Sequence, residues 1–374
     1  MMKAFQILTG IRQFADIIEC VEAYAPAAED LILTNEYIYE PLLGSCDLPC
    51  RTVFLERYGT GEPTDEMVDA VLDDLAGTPY ARLFAIGGGT IIDVAKVLAV
   101  AKDTERMDDL YEAMPDLTKR HPLIILPTTC GTGSEVTNIS VISRVKKGVK
   151  QGLVSPAIYA DEAALVTQTL LTLPYPVFAT SSIDAMIHAA ESFLSPNACA
   201  MSELFSERAL RMIVSSWKQM MAEGGGDAWL KYAQDFLLAS DYAGIAFGYA
   251  GCAAVHALSY PVGSTHHVTH GQSNQMLFAD VMRKYQEKKP IGKLNRLEEI
   301  LADVLDVEAV FALKALYDLM DTVFKKDRLS EHGMTTEEIS IFSKNVLETQ
   351  QRLLNNNYVE LSYDDIVEIY TKAF

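Results

Sequence analysis

The amino-acid sequence of 374 residues predicts two domains, an α/β domain with a parallel sheet over residues 1–175 and an all-helical domain over residues 176–374. Two observations indicate this class. In the first half, short apolar runs that end in turn residues alternate with amphipathic helical patterns, as in a parallel sheet covered by helices. After Pro174 and Pro176, helical spacing continues with little strand signal. With 49% hydrophobic residues, the chain can build a core in each domain.

The individual elements follow from these runs and their spacing. Strands are predicted for the runs DLILTN at 30–35, RTVFLE at 51–56, RLFAIGGG at 82–89 and HPLIILPTT at 121–129. Between them, helices are predicted near 64–76 and over 90–102. In the second domain, helical spacing covers 180–222, 228–255, 295–324 and 336–354.

Composition and charge exclude several classes of function. Acidic residues outnumber lysine and arginine by 51 to 31, and the net charge of −20 repels nucleic-acid backbones and anionic membrane surfaces. The six cysteines form no C-x-x-C pair and no dense framework, which favours a reducing compartment. Arg12, Asp16 and Glu19 interrupt the apolar core that an export signal needs. We therefore expect a cytoplasmic protein that binds neither nucleic acid nor membrane.

One stretch has an unusual composition, because residues 242–279 contain no Asp, Glu, Lys or Arg. A membrane span requires ~20 predominantly apolar residues. This stretch instead includes Ser259, Pro261 and four histidines. A buried helix that enters a buried polar site accounts for it better than a membrane span does.

Three consecutive glycines follow the third predicted strand, in RLFAIGGGTIIDVAK. After Gly87, Gly88 and Gly89 comes Thr90, whose hydroxyl can cap the next helix together with Asp93. Backbone N–H groups at a helix start, free of side chains, form an anion site that suits a pyrophosphate. The alternative is a plain tight turn. The position at the carboxyl end of a parallel strand favours ligand binding.

A second polar loop, PTTCGTGSEVT, follows the fourth predicted strand. Hydroxyls on a flexible backbone at a strand end suit ribose and amide groups, whereas the alternative is a loop that caps its own backbone. The residues that offer hydroxyls are Thr128, Thr129, Thr132, Ser134 and Thr137. The neighbouring glycine turn favours the binding interpretation.

Two motifs in the second half offer metal ligands. SSIDAMIHAAE places Asp184 and His188 at i and i+4, so both side chains project from one helix face. Such a pair alone is more often a surface or capping interaction. VHALSYPVGSTHHVTHG adds His256 and His270. Together the four residues would supply three nitrogens and one oxygen, a set that suits Fe(II) or Zn(II) and not calcium.

Jointly, these motifs resemble the iron-containing, or group III, alcohol dehydrogenases, with which the chain also shares an LLTLP motif in the same order over residues 30–280. The resemblance implies the fold shared with dehydroquinate synthase, hydride transfer between NAD(H) and a primary alcohol/aldehyde pair, and a homo-oligomer. Members that interconvert 4-hydroxybutyrate and succinate semialdehyde resemble the chain most. Uncharged alcohols, such as butanol, 1,3-propanediol and lactaldehyde, are the alternative substrates.

The resemblance also implies the residues of the site. The implied ligands of one divalent metal are Asp184, His188, His256 and His270. The implied contacts of the nicotinamide dinucleotide are Gly88, Gly89 and Thr90 to the pyrophosphate, with Asp93, Thr128, Thr129, Thr137 and Lys150 around them. The affinity order of divalent metals favours Zn(II) over Fe(II) at such a site, while the resemblance favours iron.

Three positions depart from the family pattern, and one of them, Glu62, stands where some relatives have Asn near the cofactor, so that contact is not carried over. Tyr260 stands where many relatives have a histidine that can relay the alcohol proton, and a phenol with an ordinary pKa near ~10 does so less readily. Either Tyr260 only shapes the pocket, or His267 takes part in the relay. Asn35 stands where NAD-preferring relatives often have Asp, which repels a 2′-phosphate, although Glu36 is adjacent. We expect NAD(H), with NADP(H) as the alternative.

Other classes of protein share part of this pattern. Dehydroquinate synthase and glycerol-1-phosphate dehydrogenase have the glycine turn, the two domains and a metal, but they resemble this chain less at the metal ligands. Their phosphorylated substrates would call for a concentrated basic pocket. A substrate carboxylate also needs donors, for which His266, His267, hydroxyls, backbone amides or the basic run RVKKGVK are the candidates. A non-enzymatic sensor has no DNA-reading or docking segment to support it.

Overall fold

The computed structural model describes residues 4–102 and 104–374, apart from the side chain of Pro115. These residues form two compact units. The first, the α/β unit, is Gln6–Leu173, and the second, the helical unit, is Pro174–Phe374 together with Ala4 and Phe5.

The α/β unit contains eight strands and five α-helices among the described residues. The strands are β1 (Gly10–Phe14), β2 (Leu31–Thr34), β3 (Arg51–Phe54), β4 (Leu83–Gly87), β5 (Leu123–Pro127), β6 (Ile139–Arg144), β7 (Val149–Val154) and β8 (Glu162–Val166). The helices are α1 (Ile17–Tyr24), α2 (Glu36–Leu43), α3 (Asp65–Leu75), α4 (Gly89–Leu98) and α5 (Met107–Glu112).

Six of these strands form one parallel sheet in the order β1-β8-β5-β4-β2-β3. Its central strands bury both faces. Leu31, Leu83 and Leu123 pack on the face covered by α3, α4 and α5, and the next residues along the strands pack on the face covered by α1 and α2. The alternation follows the two-residue period of a strand, and continuous apolar runs result because both faces are covered. The four predicted strands are therefore confirmed.

Strands β6 and β7 form a separate antiparallel hairpin that the sequence patterns did not predict. Its turn ends at Gly148, whose φ of 63° is in the left-handed region that favours glycine. Residues of β6 alternate between buried and half-buried, so the strand shows no continuous apolar run. Strand β1 was also missed, because four of its five residues are exposed. Strand β8 was missed although it is buried, since its short run EAALV contains two alanines, which are depleted in strands.

The helical unit contains ten α-helices among the described residues. They are α6 (Tyr175–Leu194), α7 (Ala200–Ala222), α8 (Ala233–Ala250), α9 (Ala254–His266), α10 (His270–Lys288), α11 (Lys293–Leu305), α12 (Ala309–Val323), α13 (Thr336–Thr349), α14 (Gln351–Leu354) and α15 (Tyr363–Ala373). Helices α6, α8 and α10 are buried over most of their length. The predicted fold class, a parallel α/β domain followed by an all-helical one, is confirmed.

All four of the predicted long helices are interrupted. The pattern over 295–324 divides into α11 and α12 at Asp306, where φ is 61°, and the pattern over 336–354 divides into α13 and α14 at Gln350. The pattern over 180–222 divides into α6 and α7 at Ser195, which precedes Pro196 and has an extended ψ of 138°. A residue before proline is disfavoured in the helical region. The pattern over 228–255 divides at Gly251, where φ is 81°. This break gives the chain a new helix start directly before His256.

No single helix among the described residues is both long and apolar enough to cross a membrane. One pair, Gly226–Ala250 with Ala254–His266, meets that criterion jointly but is bent by 105° at the break.

Candidate functional site

Three helices of the helical unit bring the four predicted metal ligands together. Helix α6 carries Asp184 and His188, α9 carries His256, and α10 begins with His270. One ligand atom from each residue lies within 4.8 Å of the others. Asp184 is central, with its carboxylate oxygens 3.5 Å from His256 Nε2, 3.7 Å from His270 Nε2 and 3.9 Å from His188 Nδ1.

The close approach of α10 to α6 depends on Gly271. A Cβ atom at this position would lie 2.1 Å from the carbonyl oxygen of Thr180. Because only glycine fits there, the first residue of α10 can reach the face of α6 that carries Asp184. The sequence motif T-H-G therefore places the ligand and the residue that permits its position side by side.

The donor atoms fit a divalent transition metal. His256 is 2% exposed, and its Nε2 has no hydrogen-bond partner, although Asp184 Oδ1 lies 3.5 Å away. A buried polar atom without a partner is costly unless a ligand satisfies it. Three imidazoles and one carboxylate match the preferences of Zn(II) or Fe(II). His270, with 31% of its side chain exposed, is the most accessible of the four.

Two residues that sequence reasoning missed support this cluster. Glu191, on α6, accepts a hydrogen bond of 2.6 Å from His256 Nδ1, and its side chain is fully buried. Asn274, on α10, donates to Asp184 Oδ1 at 2.7 Å, and its Nδ2 lies 3.3 Å from His270 Nε2. Both follow a ligand at helical spacing, three residues after His188 and four after His270. That spacing was the available signal.

The electrostatics of the cluster favour a positive charge within it. Burial disfavours the ionised form of Asp184, yet the imidazoles of His188, His270 and His256 hold its pKa well below the ordinary value. Burial alone would lower the pKa of His256, but Glu191 and Asp184 raise it to about 9. A cation bound at His256 Nε2 would take the place of this proton.

The remaining residues of the histidine-rich motif have distinct positions. Tyr260 is half-buried one turn after His256, and its ring centroid lies 6.0 Å from that of His270. His267 is exposed at the end of α9 with a left-handed φ of 55°. His266 Nε2 lies 3.3 Å from Glu338, and its ring meets Phe342 edge-on. These contacts of His266 join α9 to α13, which is a structural role.

In the α/β unit, the glycine turn packs against the threonine-rich loop. A Cβ at Gly88 would lie 3.0 Å from the methyl group of Thr129, and one at Gly89 would lie 2.9 Å from that of Thr132. The Thr128 N–H also donates to Gly87 O at 3.1 Å. The two loops follow the neighbouring strands β4 and β5, so they meet at the carboxyl edge of the sheet.

The predicted capping by Thr90 and Asp93 is wrong. Gly88 occupies the N-cap position of α4, and the Thr90 hydroxyl donates to Gly61 O at 3.1 Å. The carboxylate of Asp93 instead accepts from the Ser134 hydroxyl and the Val141 N–H, both at 2.8 Å. With glycine at the N-cap, the first N–H groups of α4 have no side chain of their own to satisfy them.

A buried lysine that the motifs did not single out fixes the threonine-rich loop. Lys96, fully buried on α4, donates to Ser134 Oγ at 2.8 Å, Thr137 Oγ1 at 3.0 Å and Ile139 O at 2.8 Å. Burial lowers the pKa of Lys96 to about 8 and raises that of the adjacent, buried Glu135 to about 7. The hydroxyl of Thr137, a predicted dinucleotide contact, is therefore engaged with Lys96.

The other predicted dinucleotide contacts lie apart from the glycine turn along the chain. Asn35, which follows β2, donates from Nδ2 to Glu56 Oε2 at 2.7 Å. Glu56 Oε1 also accepts from the Glu36 N–H at 2.6 Å, so a carboxylate is held at the end of β2. Lys150, on β7, forms an ion pair of 2.5 Å with Glu62.

Comparison with known proteins identifies the class. The profile of the iron-containing alcohol dehydrogenases matches residues 6–166, and that of the C-terminal region of the Fe-containing alcohol dehydrogenase family matches residues 178–374. The chain belongs to the iron-containing alcohol dehydrogenase family, and it is an oxidoreductase that acts on CH–OH groups.

Individual relatives cover most or all of the chain. A 4-hydroxybutyrate dehydrogenase of Clostridium kluyveri is 42% identical over 373 residues, which is 100% of both chains. Long-chain-alcohol dehydrogenase 1 of Geobacillus thermodenitrificans is 34% identical over 79% of this chain and 75% of its own. The crystal structure of sulfoacetaldehyde reductase from Bifidobacterium kashiwanohense in complex with NAD+ has a TM-score of 0.84, with 22% identity over 100% of this chain and 99% of that one. This structural likeness shows the shared fold.

Proposed function

We propose that the protein interconverts 4-hydroxybutyrate and succinate semialdehyde, with NAD(H) as hydride carrier and one divalent metal, Fe(II) or Zn(II). The observation that carries the proposal is the convergence of Asp184, His188, His256 and His270 in a chain that is 42% identical, over its full length, to a 4-hydroxybutyrate dehydrogenase. In this proposal, residues 1–175 form the dinucleotide-binding domain and residues 176–374 the metal-binding, catalytic domain.

The residues of the helical unit would hold the metal and orient the substrate. A bound dication supplies Lewis acidity, which lowers the energy of negative charge on the reacting oxygen. Asp184 contributes a carboxylate and is itself held by Asn274. Glu191 fixes the imidazole of His256 from behind. His270 is partly exposed, so the open side of the cluster lies next to it.

The residues of the α/β unit would bind the dinucleotide. The N–H groups at the start of α4, with Gly88 and Gly89 free of side chains, suit the pyrophosphate. Thr90, Thr128, Thr129 and Thr132 lie beside this turn, and their hydroxyls are not bonded to Lys96. Asp93 would act indirectly, because it holds Ser134 of the threonine-rich loop, and Thr137 would do so through its bond with Lys96. Lys150 would act through its ion pair with Glu62.

The alcohol proton must leave the site, and Tyr260 and His267 are the two candidates. The ring of Tyr260 lies beside His270, while His267 is exposed at the end of α9. Tyr260→Phe and His267→Gln, each assayed for kcat over pH, separate them. The relay variant is expected to lose activity and change the pH profile. If Tyr260→Phe keeps full activity and an unchanged profile, Tyr260 only shapes the pocket.

The position of Glu56 supports NAD(H) over NADP(H). In doubly wound sheets, an acidic residue at the end of the strand next to the glycine-turn strand bonds the ribose and disfavours a 2′-phosphate. Strand β2 adjoins β4, and its end carries Asn35 bonded to Glu56. Position 35 has no carboxylate in this chain, but Glu56, which follows the neighbouring parallel strand β3, provides one at the same edge of the sheet.

Two matched variants test this assignment. Glu56→Gln removes the held carboxylate, and Glu36→Gln removes the exposed one beside it. Loss of ~1 kcal/mol of repulsion should raise kcat/KM for NADP+ about fivefold in Glu56→Gln, with little change in Glu36→Gln. The reverse pattern would assign the discrimination to Glu36, and equal efficiencies of the unaltered enzyme with both dinucleotides would contradict the NAD preference.

The substrate is tested by anaerobic reconstitution with Fe(II) or Zn(II), followed by assays with NAD(H) and NADP(H). The panel is 4-hydroxybutyrate, butanol, 1,3-propanediol, glycerol and lactaldehyde. Preferential turnover of 4-hydroxybutyrate is expected. Activity confined to the uncharged alcohols would support the alternative substrates, and the absence of any net NAD(H) oxidation or reduction would indicate a dehydroquinate synthase-like lyase.

The protein is also proposed to be a cytoplasmic homo-oligomer. All six cysteines are free, which suits a reducing compartment. Edge strand β1 and the segment before it expose Ile7, Leu8 and Ile11, and Leu8 is 53% exposed. Unpaired edges with apolar side chains favour association with a second copy. Light scattering after size-exclusion chromatography is expected to give a multiple of 41.3 kDa, and a monomer would contradict this.

A further inference from the structure

Glu191 occupies an unusual place beside the candidate metal centre, because it is a fully buried carboxylate whose only basic neighbour among the described residues is the imidazole of His256. Its side chain is 0% exposed. Among the residues that the structure describes, neither lysine nor arginine forms an ion pair with it, and its hydrogen bonds come from two backbone N–H groups and one imidazole. A buried charge is costly unless it is paired or coordinates a cation, so this arrangement favours a cation in the same cluster.

The three donors to Glu191 all belong to the start of α9. Oε2 accepts from the Ala253 N–H at 2.9 Å and from His256 Nδ1 at 2.6 Å, and Oε1 accepts from the Val255 N–H at 2.6 Å. The first N–H groups of a helix have no partners within it. Glu191 therefore caps α9 from α6, and the same carboxylate fixes the histidine in the first turn of α9.

The contact with Nδ1 determines which nitrogen of His256 faces the cluster. A carboxylate acceptor at 2.6 Å holds the hydrogen on Nδ1. Nε2, which has no hydrogen-bond partner, then points its lone pair towards Asp184. A carboxylate behind a ligating imidazole also increases the basicity of the ligating nitrogen.

We propose that Glu191 is a positioning residue for His256, which it holds as an Nε2 donor to the metal, and that its charge together with that of Asp184 balances a dication. The inference rests on the proposed metal centre. Because the two carboxylates sum to the charge of one divalent ion, the buried cluster is neutral overall when the ion is bound and the histidines are uncharged.

The experiment compares two variants that make the same substitution at equally buried glutamates. Glu191→Gln is nearly isosteric, and Glu135→Gln, in the α/β unit, is the matched control with 1% exposure. The dissociation constant for Zn(II) is measured by competition with a chromophoric chelator, without substrate or dinucleotide. We expect it to rise about 10- to 100-fold in Glu191→Gln and to stay within about twofold in Glu135→Gln. No rise in Glu191→Gln would overturn the proposal.

A double-mutant cycle distinguishes positioning from a general structural role. His256→Ala alone must weaken Zn(II) binding, and if it does not, the metal centre itself is wrong. If Glu191 acts through His256, then Glu191→Gln produces no further loss in the His256→Ala background. If Glu191→Gln weakens Zn(II) binding as much in the His256→Ala background as in the unaltered protein, Glu191 supports the fold and does not act through His256.

A measurement on the unaltered protein keeps the proposal testable if Glu191→Gln does not fold. With ¹⁵N-labelled histidine, the Zn(II)-loaded protein should show His256 protonated on Nδ1 and metallated through Nε2, with His256→Ala providing the assignment. The opposite tautomer, with the metal on Nδ1, is incompatible with the contact to Glu191 and would overturn the proposal.

Discussion

Each unit buries a cluster of ionisable side chains, and the two clusters differ in how their charges are balanced. In the α/β unit, all three protons of the Lys96 ammonium group are donated to the Ser134 and Thr137 hydroxyls and the Ile139 carbonyl. In the helical unit, Asp184 and Glu191 are buried without a lysine or arginine partner among the described residues, and His256 Nε2 has no hydrogen-bond partner. The first cluster supplies its own cation, whereas the second requires one from outside.

This difference distinguishes a structural network from a ligand site. A buried polar network whose donors are satisfied within the chain stabilises a fixed arrangement. Glu135 Oε1 in the first cluster also has no hydrogen-bond partner, but there a buried lysine offsets the carboxylates. A cluster of buried carboxylates that has no lysine or arginine, and that also leaves an imidazole nitrogen unpaired, favours a bound cation. On this view, the Lys96 cluster holds the threonine-rich loop beside the glycine turn, and the Asp184 cluster is the proposed metal site.

The largest expected effect is that of Asp184→Asn on activity. The change keeps the shape of the side chain and removes the charge that lies between three imidazoles. Loss of about 4 kcal/mol of charge stabilisation corresponds to a roughly 10³-fold lower kcat/KM. Elemental analysis should show metal content well below that of the unaltered protein. Stoichiometric metal with normal activity would remove Asp184 from the metal centre.

The complementary variant is Lys96→Met, which is expected to act on stability. It leaves Asp93 and Glu135 buried without their cation, and breaking a buried charge pair costs roughly 3–5 kcal/mol. Urea denaturation should show this loss, while the folded fraction binds Zn(II) with unchanged affinity. Weaker metal binding in Lys96→Met, at unchanged stability, would contradict the division into a structural and a ligand-binding cluster.

The sequence predicted the two clusters to different extents. The clustering of the four central residues of the proposed metal site was predictable, because histidines concentrated in a charge-free stretch, together with a carboxylate and an imidazole at helical spacing, indicate a buried metal centre. Glu191 lay within the same motif but was missed, since its partners are 62 and 65 residues further along the chain and only folding brings them together.

The Lys96 cluster left a weaker signal in the sequence. Lys96 is flanked by the buried residues Val94, Ala95, Val97 and Leu98 on α4, which was an indication that it is buried. Its partners, however, lie in a loop whose hydroxyls were assigned to a ligand. For the fold, the central strands β2, β4 and β5 were predictable because they are apolar on both faces, whereas the equally central β8 was missed because its run is short and contains two alanines. The exposed edge strand β1 and the hairpin of β6 and β7 carry no such run.

A smaller effect is expected from the titration of Glu135. Burial raises its pKa to about 7 from an ordinary value of 4.5. Between pH 4.5 and 7 the folded protein keeps a proton that the unfolded chain releases, so this group's contribution to stability falls as pH rises through that window. At about 1.36 kcal/mol per pKa unit, the whole loss is roughly 3–4 kcal/mol.

Glu135→Gln should remove this dependence. The free energy of unfolding of the variant, minus that of the unaltered protein, should rise between pH 4.5 and 7 and stay constant above pH 7. A constant difference over the whole range would show that Glu135 is not protonated in the folded state. Glu331→Gln, on the surface of the helical unit, serves as the control and should show no such trend.

The smallest effect concerns the loop that the Lys96 cluster holds in place. A Cβ at Gly88 would lie 3.0 Å from Thr129 Cγ2. Since Lys96 fixes the loop on the far side, Thr129 cannot move away freely, and overpacking of ~1–2 kcal/mol should raise KM for NAD+ about tenfold in Gly88→Ala. The double variant Gly88→Ala/Thr129→Ser lacks the obstructing methyl group and should recover most of this loss. Recovery would assign the effect to packing between the two loops. An equal or greater loss in the double variant would mean that the methyl group of Thr129 itself contributes to dinucleotide binding.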